Sequence, residues 1–146
     1  MNRVFDNHGI RFGYPATWEL DEADDDDRAT ITVQSPSGPS FVMVTLDDER
    51  PEPSEMVDEA VAAMREEYPA IDVAAVADTL AGHPAVGYDL EFFSVDMVSE
   101  CALRAFRSAK RTVLVLAQWS SVDSDDDADA EASARALMAS LTETDG

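Results

Sequence analysis

The chain has 146 residues, 45% of them hydrophobic, which is the size and apolar content of one folded domain around one core. Its 31 acidic residues outnumber 10 basic ones for a net charge of −21, which sets nucleic acid and anionic membrane aside as partners and favours cationic ones. Cys101 is the only cysteine, so no intramolecular disulfide forms, and no apolar run has the length of a bilayer span.

From the N-terminus, Met1 to His8 holds no apolar signal region, and the chain reads as cytoplasmic. Gly9-Ile10-Arg11-Phe12-Gly13 alternates apolar with polar or small residues, predicting a short strand that Tyr14-Pro15 stops, with Trp18 and Leu20 following as an aromatic plug. Asp21 to Asp27 carries six acids in seven residues and reads as a solvated loop, because packed carboxylates resist burial. Ala29 to Gln34 and Phe41 to Leu46 read as a hairpin joined through Ser35 to Ser40.

After Pro51 and Pro53, Ser54 is placed to cap a helix. Its apolar positions Val57, Ala60, Val61, Met64 and Tyr68 follow the 3.6-residue period, and Pro69 ends it. Ile71 to Leu80 reads as a strand, Ala81 to Pro84 as a turn, and Val86 to Val95 as a strand with Val86, Tyr88, Leu90 and Phe92 on one face. Phe93 then points the other way and needs cover from a helix or a partner. Val98 to Phe106 and Thr112 to Trp119 form the next pair, and Val113 to Ala117 is apolar on both faces, as a central strand must be. A second acidic run feeds a closing helix in which Ala130, Ala134, Leu137, Met138 and Leu141 share a face. Consecutive strands without alternating helices predict an α+β design with a mainly antiparallel sheet packed by helices.

Little here is equipped for catalysis. His8 and His83 lie in turns, and no H-E-x-x-H or C-x-x-C spacing offers a metal site. Cys101 and His83 could serve as nucleophile and base, but a cysteine in mid-strand reads first as a small buried hydrophobe. Asp123 to Asp129 resembles a calcium loop, yet Ala128 stands where glycine is needed and Ala134 where a bidentate glutamate is needed. The six glycines form no phosphate-binding fingerprint, so no cofactor is expected. Met43, Met64 and Met138 fall at core positions. Acid enrichment with Lys110 as the sole lysine matches adaptation to high salt.

The basic cluster stands out against this background: Arg104, Arg107, Lys110 and Arg111 gather four of the ten positive charges within eight residues. Two readings follow, arginines balancing acidic loops within the molecule, or an anchor for an acidic partner. With Phe93, these four are the candidate partner-binding residues.

In order, the pieces are Gly9-Ile10-Arg11-Phe12 with Tyr14-Pro15 and Trp18, the acidic segment leading into a hairpin, and the helix ending at Tyr68-Pro69. Then come Gly82-His83-Pro84-Ala85-Val86 opening a strand, Arg104 and Phe106 on the next, Val113 to Leu116, and a terminal helix. This order resembles the superfamily of the photosystem protein PsbP and the Ran-binding factor Mog, with the DcrB-type proteins and effector-associated (Eag) chaperones as bacterial relatives. The resemblance covers nearly the whole chain, and Gly82 to Leu90 followed by a basic strand is most similar to the chaperone branch. It implies an α/β/α sandwich around an antiparallel sheet, no shared catalytic set, and a structural role for His8 to Leu20. No motif here matches one for Ran binding.

The expectation is therefore a non-enzymatic protein-binding domain, adaptor- or chaperone-like. Two alternatives stand beside it: a small-molecule binder or hydrolase using a carboxylate pair or Cys101, and a homodimer or larger oligomer paired through an edge strand or the Phe93 face.

Overall fold

The computed structural model describes residues 2–36, 40–94, 97–120 and 125–144. Two antiparallel sheets and two helices make an α+β fold. The smaller sheet holds β1 (Asn2–Asn7), β2 (Ile10–Pro15) and the two-residue β10 (Thr142–Glu143), in the order β1-β2-β10. The larger contains β3 (Glu19–Asp25), β4 (Arg28–Gln34), β5 (Phe41–Asp47), β6 (Asp72–Leu80), β7 (His83–Ser94), β8 (Met97–Arg107) and β9 (Thr112–Ser120). Its order is β3-β4-β5-β9-β8-β7-β6, with α1 (Pro53–Glu67) crossing between β5 and β6 and α2 (Asp125–Ser140) following β9.

β9 shows how the sheet divides the core. Val113, Val115, Ala117 and Trp119 enter one apolar cluster, shared with α2, β2, β4 and β5. Leu114 and Leu116 enter the other, shared with Met56, Val57 and Val61 of α1 and with Leu90, Phe92 and Leu103. The unbroken apolar run thus reflects burial on both faces.

Several expectations need correction. The acidic run from Asp21 is not a loop: Asp21 to Asp25 completes β3, the outermost strand, whose side chains are almost all exposed. An edge strand with two wet faces buries no carboxylate, so nothing opposes its pairing with β4. Asn2 to Asn7 forms β1, which buries only Phe5 and so carries little alternation to read. Tyr14 and Pro15 end β2 from within it; Trp18 then donates its backbone N–H to the Pro15 carbonyl, and both aromatics are buried. Ser54 is not the helix cap. Glu52 takes that position without a side-chain cap bond, and Pro53 starts the helix, where a missing N–H costs nothing. Ser37 to Pro39 of the expected hairpin loop, and Val95 of the expected strand, lie outside the described residues.

Two hairpins close through two-residue turns with positive φ at both positions, His8-Gly9 (54° and 82°) and Ala81-Gly82 (52° and 80°).

Candidate acidic groove beside the second helix

The register of the large sheet brings Asp72, Glu91, Glu100 and Trp119 into one row across β6, β7, β8 and β9, each directly opposite the next. Residues paired this way point to the same face of the sheet, here the one that α2 covers at β9. The Trp119 indole N–H donates to Glu100 Oε2 at 2.9 Å. From α2, the Arg135 guanidinium lies 5.0 Å from the centre of the Trp119 ring and donates to Glu131 Oε2 at 2.8 Å.

Between this assembly and the β6–β7 side of the sheet runs a cavity of about 440 Å³. Asp72, Asp89, Glu91, Glu100 and Glu131 bring five carboxylates to its lining, against the single guanidinium of Arg135. The adjoining row holds Ala74, Asp89, Ala102 and Ala117; Ala74 and Asp89 line the groove, and Ala102 and Ala117 are buried in the core on the α2 side. Phe93 sits on the same face two positions beyond Glu91 and is 75% exposed.

The basic residues occupy different ground. Arg104 is buried and donates to Asp78 Oδ2 at 3.2 Å, to Asp89 Oδ1 at 2.9 Å, and to the Tyr88 and Leu103 carbonyls at 3.1 Å each. Arg111 is also buried and meets Glu143 Oε2 at 2.6 Å, while His83 Nε2 lies 2.8 Å from the other oxygen of that carboxylate. Exposed Arg107 pairs with Glu52 at 3.0 Å and with the Arg50 carbonyl. Lys110 is exposed on the turn between β8 and β9, where its backbone N–H donates to Ser108 Oγ. The cluster therefore divides, with two arginines inside the fold and Arg107 and Lys110 at its rim.

Cys101 and His83 do not meet. Cys101 lies opposite Leu90, seven residues along β7 from His83, about 23 Å at the usual strand rise. Their side chains also belong to opposite faces, Cys101 in the α1 cluster and His83 stacked on Phe106. Burial first, and Glu100 second, push the Cys101 thiol up to about 12. His8 lies 3.1 Å from Glu22 and 3.5 Å from Asp24, tying the β1–β2 turn to β3. Among the described residues no three or more His, Cys, Asp or Glu side chains are placed so that they could hold a metal ion. The side chains of Asp123 to Asp129 lie outside them.

The groove residues Asp72, Glu91, Glu100, Trp119, Glu131 and Arg135 were not singled out from sequence. A signal was present in the strand that alternates: Asp89 and Glu91 occupy the face on which Phe93 sits, so that face was already acidic.

No family model matches the chain, and no curated protein matches it. Among solved structures it is similar to LpqN of Mycobacterium tuberculosis, described as involved in cell envelope biogenesis. That match has a TM-score of 0.59 at 14% identity and covers 99% of this chain and 91% of that one. A Bacteroides thetaiotaomicron protein gives 0.54 at 9% identity, over 92% of this chain and 45% of its own. PA94, a Pseudomonas aeruginosa protein of unknown function, gives 0.52 at 13% identity, over 92% and 93%. The likeness is one of fold. No helix among the described residues is long and apolar enough to cross a membrane.

Proposed function

We propose that the chain is a non-enzymatic protein-binding domain, adaptor- or chaperone-like, whose acidic groove takes a basic segment of a partner protein. The row Asp72, Glu91, Glu100 carries this proposal. Like charges directly opposite in a sheet are destabilising, and a cationic side chain laid over three of them relieves the repulsion. Arg135 on Trp119 is a pattern for how a partner's arginine sits there, and exposed Phe93 offers an apolar contact beside it.

The proposal extends to a Mog/PsbP-type α/β/α sandwich in a cytoplasmic setting. In support, α1 packs on one face of the seven-stranded sheet and α2 with β2 on the other, and Cys101 is a free thiol. The enzymatic alternative through Cys101 loses its base, because His83 lies about 23 Å along the sheet and on its opposite face.

The test is Glu91→Lys, which places a cation between Asp72 and Glu100. The probe is a blocked nonapeptide of alternating lysine and valine, titrated calorimetrically into the full chain. The variant is expected to bind it at least tenfold more weakly while gaining about 0.5–1 kcal/mol in unfolding free energy, because two repulsive pairs become attractive. Unchanged affinity in the variant would refute the groove as the binding surface.

A further inference from the structure

The two edges of the large sheet differ. β3 closes one edge with five carboxylates in seven residues, a charge barrier to any added strand of this chain's own composition. β6 forms the other edge over nine residues, about 30 Å, with only Asp72 and Asp78 charged and valine, alanine, threonine and leucine elsewhere. It contains no proline, no glycine and no lysine, and every residue from Asp72 to Leu80 pairs in register with β7 without a bulge. Asp78 is turned to Arg104. Among the described residues no strand lies outside β6.

The turn chemistry says which backbone groups face outward. A two-residue turn with both φ positive makes Leu80 and His83 a hydrogen-bonded pair, and such pairs alternate with non-bonded ones along an antiparallel ladder. Thr79 and Pro84 are then a non-bonded pair, which suits a proline with no N–H to give. The Thr79 N–H points away from β7 and is taken by Asp78 Oδ1 at 2.8 Å. By the same alternation, Val73, Ala75 and Ala77 present N–H and C=O groups outward.

Different surfaces flank this edge on its two sides. On one runs the acidic groove, which includes Asp72 and Ala74. On the other is a cavity of about 290 Å³ between α1 and the sheet, lined by Val61, Ala62 and Val73 together with Asp58, Arg65 and Tyr88, whose hydroxyl donates to Asp58.

We infer that β6 is a docking edge, which takes up an extended segment of a partner protein as an eighth strand with basic and apolar side chains in alternation. Alternate side chains of an added strand point to opposite faces, so one set meets the carboxylates and the other the α1 cavity. The inference rests on the proposed acidic groove and adds the backbone mode and the period-two chemistry of the occupant. A second copy of this chain is disfavoured as occupant, since it brings another net charge of −21 to an acidic surface.

The test uses the lysine–valine nonapeptide and a copy N-methylated at every internal backbone nitrogen, which keeps the charges but donates no backbone hydrogen bond. The parent is expected to slow amide exchange at Val73, Ala75 and Ala77 at least tenfold, and the methylated copy to bind at least tenfold more weakly. Equal affinity for both peptides, with exchange at those three amides unchanged and Glu91→Lys still weakening the parent, would overturn the docking edge while the acidic groove stands. Binding of neither peptide would overturn both. Doubling of the mass of the protein alone in sedimentation equilibrium, abolished by Ala75→Pro, would overturn the inference by assigning the edge to a second copy.

Discussion

Arg104 and Asp89 meet at 2.9 Å from opposite conditions: the arginine side chain is 6% exposed and the carboxylate 50%. The arginine is therefore the partner that depends on the bond, and Asp78 with two backbone carbonyls completes its satisfaction. One side chain thus fastens β6 and β7 to β8. Arg104→Ala is expected to lower the unfolding free energy by about 3 kcal/mol in urea titrations, through lost bonds and lost packing of the stem. Arg104→Met, which keeps the stem's volume, is expected to lose less than half of that.

Asp78 carries the same contact into pH dependence. Its carboxyl is held below the ordinary value of 3.8 chiefly by the Thr79 N–H, with Arg104 adding to the effect and partial burial opposing it. The folded state favours the charged form, so the contribution to stability is complete above the unfolded value and is lost as pH falls through the lower, folded one. A carboxyl-carbon NMR titration is expected to place the Asp78 midpoint below 3.8, and Arg104→Met to raise it only part of the way, because the Thr79 N–H remains.

Gly87 faces Arg104 across the β7–β8 ladder. A Cβ there would collide with the Leu103 carbonyl oxygen and stand 3.0 Å from Arg104 Cα, so both strands must shift to admit one. Gly87→Ala is expected to destabilise by about 1–3 kcal/mol, against the usual preference for alanine over glycine in a strand. A lowered urea midpoint with an unchanged m-value checks it.

Legibility from sequence followed how local the cause was. Val113 to Ala117 and the stripe Val57, Val61, Met64 each bury a face by their own period, and both elements form where expected. The acidic β3 hid because an edge strand with two wet faces has no apolar alternation. The groove and the Arg104 contacts depend on register among β6, β7 and β8, which joins residues such as Asp72 and Glu100 that are far apart in the chain. Counting charges near Arg104 could not reveal that its partners are Asp78 and Asp89.

Cys101 offers a chemical check on the packing. It is 2% exposed, its Sγ donates to Gln118 Oε1 at 3.6 Å, and its thiol is pushed up to about 12. At pH 8 the folded chain is expected to resist iodoacetamide and to take up one label promptly in denaturant. Mass spectrometry of the two samples reads the difference.

The contrast between the two sheet edges also bears on self-association. An added strand carries a fresh edge of its own, and a sheet open at both ends would pass from one molecule to the next as a fibre. Here the far edge, β3, repels anything resembling this chain, so successive copies have nowhere to join. A domain with one edge of this kind does not pass strand pairing from copy to copy, which keeps this chain from stacking on itself as a fibre.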